Sequence, residues 1–89
     1  MNKVFLSGKI GRAPEMAYTP KGRKIVTFPL LVTGGNYDIQ VVGAGEAFPG
    51  DLDAVVGNDV LVAGELVKAK LKSHDIWRVK AGKILWMEG

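Results

Sequence analysis

Cationic side chains are concentrated in residues 68–80, which read KAKLKSHDIWRVK. Five of these thirteen residues are Lys or Arg, and Asp75 is the only acid among them. Lys and Arg neutralise phosphate groups, and the counterions that a polyanion then releases make the contact favourable. The segment therefore predicts a surface that binds a phosphate backbone. The alternative is that the cations only keep an exposed strand soluble.

A hairpin with its turn at residues 73–75 would bring the two halves of this segment together. The facing pairs would then be Leu71 with Trp77, Ala69 with Val79, Lys70 with Arg78 and Lys68 with Lys80. Like charges placed directly opposite one another destabilise a sheet on their own account. This register therefore favours a bound polyanion over simple solubility as the reason for the cations.

The rest of the charge is segregated along the chain in the same way. Residues 1–24 contain six Lys or Arg and one acid, whereas residues 25–67 contain six acids and no cation. The cations of the first segment are Lys3, Lys9, Arg12, Lys21, Arg23 and Lys24. The pattern predicts one positive region built from two distant segments.

Composition excludes several classes of function. The 89 residues, with a net charge of +3, are expected to form one domain, 1–89, and they contain no cysteine for a disulfide or a thiolate metal site. His74 is the only histidine, and no phosphate-binding glycine loop is present. We therefore predict that the protein is not an enzyme and has no metal or cofactor. No segment reads as a membrane span or a signal peptide, so a cytoplasmic, nucleoid-associated protein is expected.

Short strands account for most of the chain. Alternating, β-branched and aromatic residues predict five strands, near 3–10, 24–32, 36–45, 59–67 and 76–88. Residues 11–23 read as a connection that ends in a TPKG turn, and Pro29 requires an edge or a bulge on its N–H side. A short helix from Asp51 to Val56 would end at Gly57.

This order of elements predicts an all-β protein, the five-stranded OB-fold barrel with a short helix or loop between its third and fourth strands. Such barrels bind oligonucleotides or oligosaccharides on the face of the second and third strands. The flanking loops are the first turn and the connection between the last two strands. The two cationic segments contain these loops, so we expect them to border one cleft.

Six motifs occur in order along the chain: the NKV start, GKIGRAPE, the YTPKG turn, DIQVVGAG, GNDVLVAGEL and the closing WMEG. In these motifs the sequence resembles the bacterial single-stranded DNA-binding proteins. The resemblance implies an OB-fold, oligomers that pair through their first strands, and binding of single-stranded DNA by stacking and backbone contacts. The implied oligomer interface comprises Asn2, Lys3, Val4, Phe5 and Ser7.

The chain departs from that family in its aromatic residues and its loops. Asp38, Ala44 and Leu71 stand where the family has aromatic residues that stack on bases. Each stacked base contributes about 1–3 kcal/mol, so these losses should weaken binding. Only residues 33–35 stand in place of a long charged loop, and no acidic tail for recruiting partner proteins follows Gly89.

Ten residues are the predicted contacts to DNA. They are Arg12, Lys21, Arg23, Tyr37, Lys68, Lys70, Lys72, Trp77, Arg78 and Lys80. Trp77 either stacks on a base or packs on Leu71 across the hairpin. Among the other aromatic residues, Tyr18 is assigned to the first turn, Phe5, Phe28 and Phe48 to the core or an interface, and Trp86 to packing or an interface.

The predicted function is sequence-independent binding of single-stranded DNA in replication, recombination or repair, with RNA as a further ligand to consider. The expected partners are a second copy, as a homodimer or homotetramer, and replication or repair proteins, but no membrane. One alternative is an adaptor of the primosomal replication protein N type. Another is an OB domain that acts mainly through oligomerisation and protein contacts, whose apolar interface would resist salt.

Overall fold

The computed structural model describes residues 1–87, which form six strands and two single 3-10 turns. The strands are β1 (Val4–Ile10), β2 (Glu15–Tyr18), β3 (Lys24–Val32), β4 (Asp38–Ala44), β5 (Asp59–Leu71) and β6 (His74–Met87). The 3-10 turns are η1 (Gly45–Ala47) and η2 (Leu52–Val55). Glu88 and Gly89, the end of the WMEG motif and of the last predicted strand, lie outside the described residues.

Five of the strands close into a ring. Their order is β1-β5-β6-β4-β3, and β3 pairs in turn with β1. Closure occurs at Gly8, which is the register partner of Val60 in β5 and of Val32 in β3. Only glycine fits there, because a Cβ atom would fall on the carbonyl oxygen of Leu31. The predicted OB-fold is confirmed.

The core lies inside this ring and is built by alternation along the strands. Fully buried residues alternate with more exposed ones on β3, β4, β5 and β6. They include Val26, Phe28, Leu30, Val41, Val60, Val62 and Val79. Phe48 packs against this core, with its ring edge-on to both Phe28 and Trp86. The assignment of Trp86 to packing is confirmed, because its Nε1 also donates to the carbonyl of Ala47 at 3.1 Å.

The connection after the first strand contains a strand that the sequence pattern does not predict. β2 pairs with the first half of β3, from Glu15 opposite Thr27 to Tyr18 opposite Lys24. All four of its residues are exposed, so it carries no burial pattern to signal a strand. Pro29 sits where the β2 pairing has ended and the β1 pairing has not begun, which satisfies its need for an unpaired N–H side.

The predicted helix at 51–56 is a 3-10 turn. The Asp51 side chain accepts from the Asp53 N–H, and Gly57 follows the turn with a φ of 83°. Among residues 1–87, no helix is long and apolar enough to cross a membrane.

The predicted hairpin register is wrong. The turn consists of Lys72 and Ser73 alone, with φ of 50° and 72°, which is the two-residue geometry that matches the twist of paired strands. Leu71 therefore faces His74, Lys70 faces Asp75, and Lys68 faces Trp77. The like-charge pairs Lys70–Arg78 and Lys68–Lys80 do not form. Neither residue of this turn is Gly or Asn, the residues that usually mark a two-residue hairpin turn in a sequence.

The β5–β6 ribbon extends beyond the barrel, where lysines replace valines at alternate positions of β5. Residues 68–77 are called the arm below. A glycine inside a strand often marks a bulge, and Gly82 does so here, since Ala63 pairs with Lys83 and Gly64 with Ala81. The one extra residue of β6 at this bulge changes which of its side chains point into the core. These are Val79 and Ala81 before the bulge and Ile84 after it.

Candidate nucleic-acid interface

One groove on the outer face of β3, β4 and β6 brings the two cationic segments together. Its volume is about 330 Å³. It is lined by Thr19, Arg23, Lys24, Ile25, Val42, Gly43, Ala44, Glu46, Lys80 and Ala81. Arg23 precedes β3, whereas Lys80 comes from the far end of the chain. The groove therefore joins the first turn to β6, whereas the turn between the last two strands, which was expected at its border, does not line it.

Strand alternation explains the composition of this groove. Val26 and Phe28 point into the core, so Ile25 points outward. On the neighbouring strands, Val42 and Lys80 are register partners. The result is an aliphatic floor with cations at its rim. Such a surface can hold the flat face of a base against methyl groups while ammonium and guanidinium groups contact phosphate.

The arm presents a second cationic surface. Lys68 and Lys70 lie on one face, beside their register partners Trp77 and Asp75. The Lys68 Nζ lies 3.6 Å from Oδ2 of Asp75 and 5.6 Å from the centre of the Trp77 ring. The Trp77 side chain is 57% exposed. It lies on the opposite face from Leu71, so the interpretation that it packs on Leu71 is wrong.

Arg78 and Lys80 stand on the other face of the ribbon from Lys68 and Lys70. Arg78 follows Trp77 and pairs with Val67 in β5 and with Gln40 in β4. The lysines and arginines of this segment therefore do not form a single row. They lie on two surfaces: the groove, which includes Lys80, and the arm, which carries Lys68 and Lys70.

Among residues 1–87, two buried side-chain polar atoms lack hydrogen-bond partners, and both lie on strands that border the groove. They are Oε1 of Gln40 and Nε of Arg78, on register partners of β4 and β6. A buried polar group left unpaired costs about 1–3 kcal/mol. Because nearly all buried polar groups in folded proteins are paired, these two unpaired atoms are exceptions.

The remaining predicted contacts lie apart from both surfaces or at their margins. Lys21 is exposed in the turn that bears Arg23, and Lys72 is exposed in the arm's turn. Arg12 lines a separate hollow with Glu15 and Asp38, whose acids oppose a polyanion. Tyr37 is 57% exposed just before β4. Tyr18 is not part of the turn, since it is the exposed last residue of β2.

Lys24, Ile25 and Val42 line the groove but are not among the sequence-predicted contacts. Lys24 belongs to the first cationic segment, so charge alone could have suggested it. The outward direction of Ile25 follows from the inward Val26 and Phe28, but that parity only becomes clear once the barrel is known. Among residues 1–87, no three acidic or histidine side chains are grouped closely enough to hold a metal ion.

The predicted oligomer residues divide between the two sides of β1. The Val4 side chain packs against the core, whereas Phe5 is 69% exposed on the outer face. The Asn2 amide is used within the chain: Nδ2 donates to the Leu66 carbonyl at 2.7 Å, and Oδ1 accepts from the Leu66 N–H at 3.1 Å. Lys3 is exposed and Ser7 half-buried.

The backbone of β1 has a free edge over its first half. Pairing with β3 covers only Gly8–Ile10, and the Ser7 carbonyl accepts from the Thr33 N–H. Successive residues of a strand point their N–H and C=O groups to opposite sides. Because the Ser7 carbonyl points away from β5, the N–H and C=O groups of Phe5, two residues earlier, also point away from β5. No other strand among residues 1–87 pairs with Phe5 on that side.

Comparison with known proteins identifies the family. The model of the Single-strand binding protein family matches residues 1–45, just over half of the chain. The chain belongs to this family. The match covers β1, β2, β3 and β4, and so includes Arg23 and the floor of the groove. No curated protein matches the sequence.

Solved structures of the Single-strand binding protein family have the same fold. The wild-type single-stranded DNA-binding protein of Thermus aquaticus superposes with a TM-score of 0.83 at 27% identity, over 100% of this chain and 41% of that one. This chain thus spans about two-fifths of that protein's length. The SSB of Plasmodium falciparum, solved in complex with ssDNA, shares 19% identity and a TM-score of 0.73, over 99% and 96% of the two chains.

A dimeric structure is also similar. It is the N-terminal domain of PriB from Thermoanaerobacter tencongensis, with a TM-score of 0.78 at 25% identity. The superposition covers 99% of this chain and 98% of that one, so the two have nearly the same extent.

Proposed function

We propose that this chain binds single-stranded DNA without sequence preference and without catalysis, as an OB-fold module of the Single-strand binding protein family. The groove carries the proposal, because three cations from two distant segments, Arg23, Lys24 and Lys80, outnumber its one acid, Glu46, and line an aliphatic floor on the OB-fold's ligand-binding face. Phosphate contacts from such cations supply affinity, and apolar contact with base faces tolerates any sequence.

The arm extends this binding surface. Lys68 and Lys70 would contact phosphates, and the exposed Trp77 indole would stack on a base. The groove contains no aromatic residue, so Trp77 is the main stacking platform that we propose. Contacts of this kind do not read base edges. Affinity should therefore vary little among single strands of different sequence and fall for duplex DNA.

We also propose that the protein assembles with itself through β1. The free backbone edge at Phe5 would pair with a second copy, and a strand edge of this kind needs to be covered. Phe5, Leu85 and Met87 are 69%, 45% and 42% exposed on the outer faces of β1 and β6. Sedimentation that shows a monomer at micromolar concentration would contradict this assembly.

Several broader expectations belong to the same proposal. Residues 1–89 form one OB-fold domain, without cofactor, that acts in DNA replication, recombination or repair in the cytoplasm, associated with the nucleoid. RNA is a second ligand to test, because the groove's phosphate contacts and aliphatic floor are compatible with either nucleic acid.

An adaptor of the primosomal type is the second candidate. The likeness to the fold of the PriB domain favours it, as do Asp38, Ala44 and Leu71 where the resemblance implies aromatic residues. Such an adaptor would bind strands weakly through the lysines of the arm. A domain that acts only through oligomerisation or protein contacts is the remaining alternative, favoured by the exposed Phe5.

A fluorescence titration separates these candidates. Labelled oligo-dT, a mixed-sequence single strand and a duplex would each be titrated with the protein at several salt concentrations. The proposed function predicts similar affinities for the two single strands, weaker duplex binding, and a steep fall with salt. Absence of strand binding at low salt, with self-association intact, would favour the protein-contact alternative.

A further inference from the structure

Asp75 holds an unusual position in the arm. It is the only acid in residues 67–87, and it lies on the face that carries Lys68 and Lys70. Lys70 is its direct partner across the ribbon, while the Lys68 Nζ is 3.6 Å from its Oδ2. The carboxylate thus lies beside the Lys68 ammonium group, on the residue directly across the ribbon from Lys70.

The contact between Lys68 and Asp75 is loose enough to be exchanged. Charge-assisted hydrogen bonds between ammonium and carboxylate groups are about 2.7–2.9 Å long. The pair of Lys9 with Asp59, at 2.9 Å, meets that distance, whereas the 3.6 Å pair in the arm does not. The side chains of Lys68 and Asp75 are 57% and 52% exposed, so a phosphate can reach the ammonium group.

We infer that Asp75 is an internal substitute for a DNA phosphate, which occupies Lys68 in the free protein and lowers affinity for single strands. The inference rests on the proposed function. Binding of a strand exchanges the carboxylate for a phosphate oxygen at the Lys68 ammonium group, and no covalent bond changes. The Trp77 ring, 5.6 Å from the same nitrogen, keeps Lys68 over the arm while this exchange occurs.

The role has a consequence for the protein's salt response. While Asp75 is ionised, one phosphate contact is partly offset by the loss of an internal ion pair and by repulsion from the released carboxylate. Removing the charge converts Lys68 into a full contact. Affinity should then rise, and the slope of log K against log salt should steepen by up to about 0.7, the value for one additional contact to a single strand.

Asp75→Asn is the test variant, and the chain offers a matched control in Asp59→Asn. Both variants change the net charge by the same amount, and both break a surface pair with lysine. Asp59 begins β5, roughly 30 Å along the strand from Lys68 at about 3.3 Å per residue. That separation is about three Debye lengths at 0.1 M salt, so a general charge effect would be screened.

The experiment titrates labelled oligo-dT with the parent and each variant at several salt concentrations, after thermal melts have shown that all are folded. Asp75→Asn should bind about two- to fivefold more tightly at low salt. Asp59→Asn and Asp75→Glu should match the parent within about twofold. In a Lys68→Ala background, Asp75→Asn should raise affinity by less than it does in the parent, because Lys68, whose ammonium group the substitution would release, is absent.

The outcomes distinguish the inference from the function on which it rests. A parent chain that fails to bind oligo-dT overturns both. A parent that binds, with Asp75→Asn equal to or weaker than it, overturns the role of Asp75 alone. An equal gain from Asp59→Asn, or an undiminished gain in the Lys68→Ala background, overturns it as well, since the effect would then not act through Lys68.

Discussion

The β5–β6 ribbon has buried residues at its barrel end and exposed residues in the arm. At the barrel end, Val60 and Val62 are completely buried. In the arm, the equivalent positions of the alternation are Lys68 and Lys70, which are exposed. Within residues 1–87, Asp59 at the barrel end pairs with Lys9 of β1 at 2.9 Å, whereas Asp75 in the arm is 3.6 Å from Lys68. The difference indicates that stability resides in the barrel and that the arm is free to serve binding.

The largest expected effect comes from the barrel. Phe28→Ala removes a side chain that is 1% exposed and packs edge-on against Phe48. The transfer and cavity costs together predict a loss of about 3–5 kcal/mol in the free energy of unfolding. Urea denaturation measures this loss. Phe28 does not line the groove or the arm, so the variant tests the barrel alone. Unchanged stability would contradict the division between barrel and arm.

The closure point of the ring gives the next effect. Gly8→Ala would push a methyl group onto the Leu31 carbonyl, and overpacking of this kind costs about 1–3 kcal/mol. Gly82→Ala is the matched control, because the nearest atom its Cβ meets is the Ala63 carbonyl oxygen at 3.7 Å. Thermal melts should show a lower midpoint for the first variant only. Equal midpoints would mean that ring closure at Gly8 is not tight.

In the arm, Trp77→Ala should affect binding and leave stability nearly unchanged. Loss of a base stacked on the indole would weaken oligo-dT binding by about 1–3 kcal/mol with little change in salt slope. Trp77→Phe retains an aromatic face and should recover part of the affinity. If Trp77→Ala binds like the parent, the indole does not contact a base.

The smallest effect is expected at the turn of the arm. Ser73 has a φ of 72°, a conformation that glycine adopts without strain. Ser73→Gly should therefore raise the free energy of unfolding by up to about 1 kcal/mol, and oligo-dT affinity should stay the same. A decrease in stability on urea denaturation would show that the hydroxyl group, rather than the backbone angle, matters at this position.

The sequence predicts the barrel better than the arm, for a physical reason. Burial imposes alternation on β3 and β5, so these strands can be predicted from the sequence. Gly8, Pro29 and Gly82 mark places where the backbone has special requirements. β2 has four exposed residues and no such pattern.

The arm shows why a register cannot be read from exposed residues. Both of its faces are solvated, so no apolar set fixes the pairing, and the Lys72–Ser73 turn lacks the glycine or asparagine that would announce it. Opposing like charges were expected, yet the structure pairs Lys70 with Asp75. The cationic segments themselves, and their meeting in one groove, were predictable because charge segregation does not depend on register.

The division between barrel and arm is tested most directly by the salt dependence of oligo-dT binding in the triple variant with alanine at Lys68, Lys70 and Lys72. We predict weaker binding than the parent and a slope of log K against log salt that is shallower by up to about 0.7 for each lost contact. Thermal stability should change by less than about 1 kcal/mol, because the only ion pair that these lysines make within residues 1–87 is the exposed one between Lys68 and Asp75. A folded triple variant that binds as tightly as the parent with the same slope would contradict the account, and the cations would then serve only to keep the arm soluble.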